Sequence, residues 1–140
     1  MNYLLDTNVA SEIRKRNCNI NVKRFVDNYD RKTFFISAVS IGEISYGVER
    51  LPPGEKKIRF AYFLNVQIPE WFEDRIIPVD REVMREWGRI CARIGRTLPL
   101  LDSLIAATAL ARGFTVATRN TRDFADIEGI LLLNPWEFPA

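Results

Sequence analysis

The strongest constraint on the fold of this chain is a repeated alternation between short apolar runs and longer segments with helical periodicity. The first apolar run covers residues 3–5, and others cover residues 33–37, 75–79, 114–117 and 131–133. Strands that are buried on both faces of a sheet give such uniformly apolar runs. The helical segments between them supply the crossovers that parallel strands need. The chain is therefore predicted to be an α/β domain with a central parallel sheet of four to five short strands and helices on both faces.

Capping residues and helix breakers mark the ends of the predicted helices. Asp80 is expected to cap a long helix, and Gly113 is expected to stop the one that follows. The predicted helices run from residue 7 to 14, from 22 to 29, from Ser40 onwards, from 56 towards 72 with Pro69 as a point of bending, from Asp80 to before Pro99, and from Asp102 to Arg112.

The length of the chain fits one domain, because 140 residues can enclose one hydrophobic core but hardly two. We therefore expect a single domain over residues 1–140. The first residues show no basic leader or long apolar stretch, and residues 104–111 form an apolar segment too short to cross a bilayer. Cys18 and Cys91 form no CxxC pair and are expected to be reduced, partly buried thiols of a soluble cytoplasmic protein.

The complete absence of histidine limits the chemistry of the chain. Without histidine there can be no Ser-His-Asp triad, no Cys-His pair and no ribonuclease mechanism that uses two histidines. Two distant cysteines are also a poor basis for a zinc site. If the chain is an enzyme, its reactive groups are expected to be carboxylates that work with a hard, oxygen-binding metal ion.

Four acidic residues lie at predicted strand ends or in the first turns of predicted helices. In a parallel sheet, these positions fall on the side where ligands bind. Clustered carboxylates repel one another unless a cation neutralises them or some take up protons. The overall charge is only +2, from 20 basic and 18 acidic residues, so an acidic site would leave a basic surplus elsewhere that suits a polyanionic ligand. The four acids are Asp6, Glu43, Asp102 and Asp123.

Each of these acids also has a purely structural interpretation. Asp6, Asp102 and Asp123 could cap helices, and Ser40 and Glu43 have the spacing of a capping box in which Glu43 folds back onto the backbone of Ser40. Asp80 has the same appearance, and we predict that it is only a cap.

Several segments resemble, in order, the motifs of the PIN-domain nuclease family. The likeness is greatest to the toxins of VapBC-type toxin–antitoxin systems, particularly the FitB-like branch, and it covers essentially the whole chain. The segments are Leu4-Leu5-Asp6-Thr7-Asn8, Ser40-Ile41-Gly42-Glu43, residues 101–109 with Asp102 second, residues 116–124 with Asp123 next to last, and Asn134-Pro135-Trp136 near the end.

The resemblance implies a role for each matching residue. Asp6 and Asp102 match the principal metal-binding aspartates, and Glu43 matches an acid that binds the metal directly or through water. Asp123 matches the acid that completes the pocket. Thr7 and Asn120 match positions that orient the first acid and form the pocket wall.

The resemblance also implies an activity and partners. The activity is that of an endoribonuclease toxin dependent on Mg²⁺ or Mn²⁺ that hydrolyses RNA. The partners are a second copy of the chain and a cognate antitoxin, through which alone DNA is contacted. The antitoxin is expected to wrap helices near residues 9–15, 22–29 and 60–71 and to present a basic side chain to the acidic pocket.

A stripe of arginines recurs every fourth residue in the predicted helix after Asp80. Its members are Arg81, Arg85, Arg89 and Arg93, beside an apolar set of Met84, Trp87, Cys91 and Ile94. The stripe could contact RNA phosphates, or it could be a solvated face that Glu82 and Glu86 partly neutralise.

Three other classes of protein were considered. A catalytically silent PIN-like module that binds RNA or protein is the main alternative, although such a module has no need for four mutually repelling acids. A phosphoacceptor receiver domain would need a paired acid near the first strand and an aspartate after the third, and neither is evident. A P-loop enzyme is excluded because the chain lacks a GxxxxGK segment.

Overall fold

A computed structural model describes residues 1–139 and contains one sheet of five parallel strands. The strand order is β3-β2-β1-β4-β5. The predicted parallel sheet is confirmed, with strands slightly shorter than the apolar runs. The strands are β1 (Tyr3–Leu5), β2 (Phe34–Ser37), β3 (Ile76–Ile77), β4 (Thr115–Ala117) and β5 (Leu132–Leu133).

Helices connect the strands in the alternation that the sequence predicts. They are α1 (Thr7–Ile13), α2 (Ile20–Asn28), α3 (Ala38–Arg50), α4 (Glu55–Tyr62), α5 (Ile68–Phe72), α6 (Arg81–Arg93) and α7 (Leu100–Arg112). A π-helical turn, Phe63–Gln67, joins α4 to α5. Pro69 has no N–H to donate to the carbonyl four residues earlier, at Asn65, so the irregularity expected near Pro69 falls in the turn before it.

Three helices begin two residues earlier than predicted, and α2 is the first of them, since it starts at Ile20 and not at residue 22. The helix α3 begins at Ala38, because the Ser37 side chain accepts a hydrogen bond from Val39 N at 3.0 Å and caps it, not Ser40. The helix α7 begins at Leu100, so Asp102 lies within its first turn and is not its cap. The helix α6 ends before Pro99, as predicted: its last residue is Arg93, and the backbone turns left-handed at Gly95 with φ +74°. The predicted cap at Asp80 is confirmed, since its Oδ1 accepts from Val83 N at 3.0 Å.

The side chains of β1 alternate between two cores on opposite faces of the sheet. Tyr3 and Leu5 pack in a cluster that includes Val9 of α1 and Phe25 of α2. Leu4 packs in a second cluster with Ile105 of α7. The sheet is therefore covered by helices on both faces, as predicted.

The strand order places a crevice at the centre of the sheet. The chain builds β1, β2 and β3 towards one edge and then crosses to add β4 and β5 on the other side of β1. The order thus reverses between β1 and β4, and in open α/β sheets ligands bind beyond the carboxyl ends of the strands at this point. Asp6 follows β1 and Thr118 follows β4, so both lie at this crevice.

Two expectations about the surface are tested by the same coordinates. Within residues 1–139, no helix combines the length and apolar character needed to cross a bilayer. Cys18 and Cys91 are both unpaired, as predicted. Cys18 is partly buried, but Cys91 is exposed, so the expectation that both are partly buried is wrong for Cys91.

Candidate acidic active site

Asp6 is the most buried acid of the candidate site, with 5% of its surface exposed. Its backbone N–H donates to the carbonyl of Ala117 at 2.9 Å, which extends the pairing of β1 with β4 by one residue. Its Oδ1 accepts from the N–H of Thr7 at 2.7 Å, and its Oδ2 accepts from the hydroxyl of Thr118 at 2.8 Å. The amide of Asn8 lies 3.5 Å from the same Oδ2. These contacts hold the carboxylate in a defined orientation at the crevice.

The other three acids reach Asp6 from distant parts of the chain. Glu43 lies in the second turn of α3, Asp102 in the first turn of α7, and Asp123 ends a short 3-10 helix, Thr121–Asp123. The charges of Glu43 and Asp123 act on Asp6, and those of Asp6 and Asp123 act on Asp102. Each of the four predicted acids therefore interacts electrostatically with at least one of the others.

The pKa values of the two central aspartates reflect this crowding. The pKa of Asp6 is raised above its ordinary value, first by burial and then by repulsion from Glu43 and Asp123, although the hydrogen bonds from Thr118 and Thr7 oppose the rise. The pKa of Asp102 is also raised, again first by burial and then by the charges of Asp6 and Asp123. In each case the ionised form is disfavoured, so both groups would gain from a nearby cation.

No basic side chain of the described residues forms an ion pair with this cluster, although Arg96 attracts Asp123 electrostatically. The ion pairs of residues 1–139 use other acids, namely Glu12, Asp27, Asp80, Glu86 and Asp126. Buried charges are normally paired or coordinate metals. An acidic cluster of this kind without a protein cation is therefore suited to a metal ion.

The donor set limits which metal ion fits. All four side chains offer hard carboxylate oxygens, which suit Mg²⁺ and Mn²⁺. Across residues 1–139, no three His, Cys, Asp or Glu side chains are arranged to hold one ion jointly. This is compatible with Mg²⁺, which usually binds one or two carboxylates and keeps several water ligands. Asp6 and Asp102 are the two acids of the four whose ionised form burial disfavours, so a bound cation would relieve both of them.

Glu43 is held by a contact that differs from the predicted one. Thr7 Oγ1 lies 2.8 Å from Glu43 Oε1 and 2.8 Å from Ser40 Oγ. The hydroxyl of Thr7 has one proton and an ionised carboxylate only accepts, so Thr7 donates to Glu43 and accepts from Ser40. The capping-box alternative is therefore wrong: Ser40 lies inside α3, and Glu43 is bound by a residue of α1.

Sequence reasoning missed Thr118 as a supporting residue. Its hydroxyl donates to Asp6, is wholly buried, and accepts from the backbone N–H of Asn120 at 3.1 Å. Asn120 in turn accepts through its backbone carbonyl from Asp123 N at 3.0 Å. Asn120 is exposed and shapes the turn that carries Asp123, whereas Thr118 orients Asp6. A hydroxyl directly after β4, at the crevice, is the sequence signal that could have identified Thr118.

The arginine stripe lies on the exposed face of α6. Arg81, Arg85, Arg89 and Arg93 are all exposed, and Arg89 pairs with Glu86. The apolar residues predicted beside them differ in exposure. Met84 and Cys91 are exposed, while the buried face consists of Val83 and Ile90 with the half-buried Trp87 and Ile94. The core-facing stripe therefore follows the spacing 83, 87, 90 and 94, which fits a 3.6-residue period.

Trp87 links this buried face to the acidic site. Its Nε1 donates to the hydroxyl of Ser103 at 2.9 Å, and that hydroxyl donates to the carbonyl of Leu100 at 2.6 Å. Ser103 is the neighbour of Asp102, so α6 fixes the first turn of α7 where Asp102 lies.

Comparisons with known proteins support the same interpretation of fold and motifs. Residues 3–130 match the PIN domain. Over 137 residues the chain is 33% identical to the VapC ribonuclease Y4jK of Sinorhizobium fredii, covering 96% of this chain and 97% of that protein. It is 34% identical over 136 residues to the toxin FitB of Neisseria gonorrhoeae, covering 95% and 97%. The solved structure of FitAB bound to an IR36 DNA fragment contains a chain that matches 99% of this one, over 98% of its own length, with a TM-score of 0.86 and 32% identity. The expected PIN-like fold and the resemblance to VapC and FitB toxins are confirmed.

Proposed function

The chain belongs to the PIN-domain family, and from this premise we propose that it is a Mg²⁺-dependent endoribonuclease, the toxin of a VapBC-like toxin–antitoxin system. It shares about a third of its residues with a VapC ribonuclease over nearly its whole length. The proposal treats residues 1–140 as one PIN domain. The reaction is hydrolysis of an RNA phosphodiester bond by water.

One observation supports the proposal above all others. Four carboxylates from four separate segments surround the end of β1, and no basic side chain of residues 1–139 pairs with them. A catalytically silent module that only binds RNA or protein would not need a cluster of mutually repelling carboxylates. A metal-dependent nuclease needs it, because the same oxygens become ligands.

The mechanism assigns distinct tasks to residues of this chain. Asp6 and Asp102 would hold Mg²⁺ or Mn²⁺, with Glu43 and Asp123 completing the pocket directly or through water. When bound, the ion supplies an activated water and stabilises negative charge on the phosphate. Thr118 and the N–H of Thr7 fix the two oxygens of Asp6, and the hydroxyl of Thr7 fixes Glu43.

The choice of RNA as substrate rests on the family and not on the chemistry. Attack by water needs no 2′-hydroxyl, so the same site could cut DNA, and VapC relatives are named ribonucleases. The expected products carry 5′-phosphate and 3′-hydroxyl ends. The exposed arginines of α6, Arg81, Arg85, Arg89 and Arg93, remain proposed phosphate contacts, although Glu86 already pairs with Arg89.

The proposed partners follow from the relatives. FitB occurs in a FitAB assembly on DNA, so we expect a cognate antitoxin that binds this chain and links it to DNA. We expect the antitoxin to cover the helices near residues 9–15, 22–29 and 60–71 and to direct a basic side chain to the acids. A homodimer and a cytoplasmic location complete the proposal.

The test is cleavage of defined tRNA, rRNA and mRNA fragments by the purified protein with Mg²⁺, with Mn²⁺ and with EDTA. We expect cleavage with either metal, none with EDTA, and 5′-phosphate ends in the product map. Asp6→Asn should abolish cleavage, and Asp80→Asn is the matched control. Metal-independent cleavage, or wild-type activity of Asp6→Asn, would refute the assigned mechanism. RNA binding without cleavage under every condition would favour the silent PIN-like module.

A further inference from the structure

A basic groove of about 780 Å³ lies at the end of α1 opposite the acidic site. Residues 14–16, which follow α1, form one wall, and α4 with the π-helical turn forms the other. Its charged lining residues are all basic: Arg14, Lys15, Arg16, Lys56 and Arg59. Three aromatic side chains, of Phe60, Tyr62 and Phe63, lie among them. We call this surface the α1–α4 groove.

Most of the positive charge in the groove has no partner within residues 1–139. Lys15 pairs with Glu12 at 3.0 Å, but Arg14, Arg16, Lys56 and Arg59 form no ion pair there. The guanidinium of Arg14 lies 3.9 Å above the ring centroid of Phe60. The Nε of Arg14 is buried and has no hydrogen-bond partner among the described residues. The groove therefore holds several positive charges close together, and one of them, that of Arg14, is stacked on the ring of Phe60.

The environment of Arg14 indicates what the groove lacks. Burial lowers the pKa of Arg14, and the charge of Arg59 lowers it further, although the charge of Glu12 partly opposes both effects. Two cations held together in this way repel each other, and a bound anion would relieve the repulsion. The groove is thus the electrostatic opposite of the acidic site, at the other end of the same helix.

We propose that the α1–α4 groove binds the phosphodiester backbone of single-stranded RNA beside the bond that is cut. This inference rests on the proposed function. Thr7 and Arg14 are seven residues apart along α1, which corresponds to about 10 Å. A strand with one phosphate at the acids would therefore have neighbouring phosphates near the groove. Tyr62, which is 54% exposed, offers a ring on which a base can stack.

An acidic peptide is the competing occupant, and two observations favour RNA over it. The groove combines several cations that have no ion pair within residues 1–139 with one exposed aromatic ring, that of Tyr62, and sites for single-stranded nucleic acid usually combine these two features. It is also joined by α1 to a site that is proposed to handle RNA phosphates. The groove overlaps the helices expected to contact the antitoxin, so RNA and antitoxin should compete for it.

The test measures RNA binding without cleavage. Asp102→Asn serves as the background, in EDTA, with a fluorescent single-stranded RNA over a series of salt concentrations. Arg16→Ala with Arg59→Ala should lower the slope of log affinity against log salt by about 1.4, because two phosphate contacts are lost. The control, Arg31→Ala with Lys32→Ala, removes the same charge from an exposed surface elsewhere and should leave the slope unchanged.

Two results would overturn the inference. One is an equal salt slope for the groove variant and the control variant. The other is intact RNA binding by the groove variant together with lost binding of an oligoglutamate peptide that the background protein binds. Failure of the proposed function is distinguishable, because it would appear as absent cleavage by the wild-type protein with Mg²⁺. In the wild-type background, the groove variant should raise KM about tenfold while kcat stays within about twofold.

A separate observation identifies a positioning residue for Asp123. Arg96 donates two hydrogen bonds to the carboxylate of Asp126, from Nε to Oδ2 and from Nη2 to Oδ1, each 2.8 Å long. The same Nη2 donates to the backbone carbonyl of Asp123 at 3.0 Å. We infer that Arg96 fixes the turn after β4 so that the carboxylate of Asp123 stays at the metal pocket.

The test uses metal binding and thermal unfolding together. Arg96→Ala should weaken Mn²⁺ binding, followed by electron paramagnetic resonance, by about 3- to 10-fold. Arg96→Lys should recover part of the lost Mn²⁺ affinity, because lysine keeps the positive charge but cannot form the bidentate hydrogen bonds. The control Arg112→Ala breaks another exposed ion pair, with Asp80 at 3.3 Å, and should lower Tm as much without affecting Mn²⁺. Equal Mn²⁺ affinity of the Arg96 and Arg112 variants would overturn the role of Arg96.

Discussion

The acidic site and the α1–α4 groove lie at opposite ends of α1 and concentrate opposite charges in different ways. The acidic site is built inwards: Asp6 is 5% exposed, and donors from α1 and from the segment after β4 fix both of its oxygens. The charges of the groove lie nearer the surface: Lys15, Arg16, Lys56 and Arg59 are exposed and Arg14 is partly buried, and of these only Lys15 has an ion-pair partner within residues 1–139. Fixed side chains suit the hydrolysis step, which needs oriented ligands. Positive charge near the surface suits binding of the RNA backbone, which weakens as the salt concentration rises.

This difference predicts different outcomes of mutation. A change in the acidic site should alter the chemical step and metal binding. A change in the groove should alter the affinity for RNA and its dependence on salt.

The largest effect is expected from removing a central carboxylate. Asp102→Asn should lower RNA cleavage by about 100-fold or more, because the neutral amide is a poor ligand for Mg²⁺. Initial rates at saturating Mg²⁺ measure the effect, and Asp80→Asn should leave them unchanged. If Asp102→Asn changed only KM and not kcat, the acidic site would affect RNA binding as the groove is expected to, and the two regions would not have different roles.

A smaller effect is expected from removing the support of Asp6. Thr118→Val keeps the shape of the side chain but deletes the hydroxyl that donates to Oδ2. Metal affinity or activity should fall about 10- to 100-fold, as is usual when a group that orients a metal ligand is lost. Thr118→Ser should recover most of it because it retains the hydroxyl. Equal activity of the Val and Ser variants would show that Thr118 only packs.

The acidic site should also lower the stability of the metal-free protein. Asp102→Asn is expected to raise Tm by about 2 °C in EDTA, because it removes one of the mutually repelling charges. Mg²⁺ should raise the Tm of the wild type and leave that of the variant almost unchanged. Differential scanning fluorimetry with and without Mg²⁺ measures both effects. A lower Tm for Asp102→Asn in EDTA would mean that Asp102 stabilises the fold.

The smallest effect concerns pH. The pKa values of Asp6 and Asp102 are raised in the folded protein, so the folded state binds these protons more tightly than the unfolded state does. Ionisation of these groups therefore lowers the free energy of unfolding, and this loss of stability is complete at pH values above the raised pKa of the folded protein. It falls as the pH drops through that pKa and disappears below the ordinary value for aspartate, near about 4. In EDTA, Asp102→Asn should therefore gain less over the wild type at pH 4.5 than at pH 7. If the Tm difference between Asp102→Asn and the wild type did not depend on pH, repulsion between ionised carboxylates could not be its cause.

The fold could be predicted from the sequence because its signals are local. Runs such as Tyr3–Leu5 identify the strands. Asp80 marks a helix start because its side chain caps the helix, and Gly113 marks a helix end because its backbone is left-handed. The start of α3 was misplaced because Ser37 and Ser40 can both cap a helix, and only the extent of β2 decides between them.

The candidate site could be predicted only in part. The four acids were found because each lies at a recognisable motif. The bond from Thr7 to Glu43 joins residues 36 positions apart, and the bond from Thr118 to Asp6 joins residues 112 apart. The position of Thr118 after β4 is visible in the sequence, but its partner is not, because both bonds depend on how distant segments meet in the fold. The α1–α4 groove was missed for the same reason, since its walls come from segments about 40 residues apart, whereas the arginines of α6 are conspicuous as a stripe in one helix.

Binding of Mn²⁺ in the absence of RNA, measured by isothermal titration calorimetry, tests most directly whether Asp6, Glu43, Asp102 and Asp123 form one cation site. The wild type and Asp80→Asn should bind Mn²⁺ saturably with the same affinity, and Asp102→Asn should bind at least about tenfold more weakly. Binding of Mn²⁺ by Asp102→Asn with wild-type affinity would contradict the assignment of these four acids to a shared metal pocket.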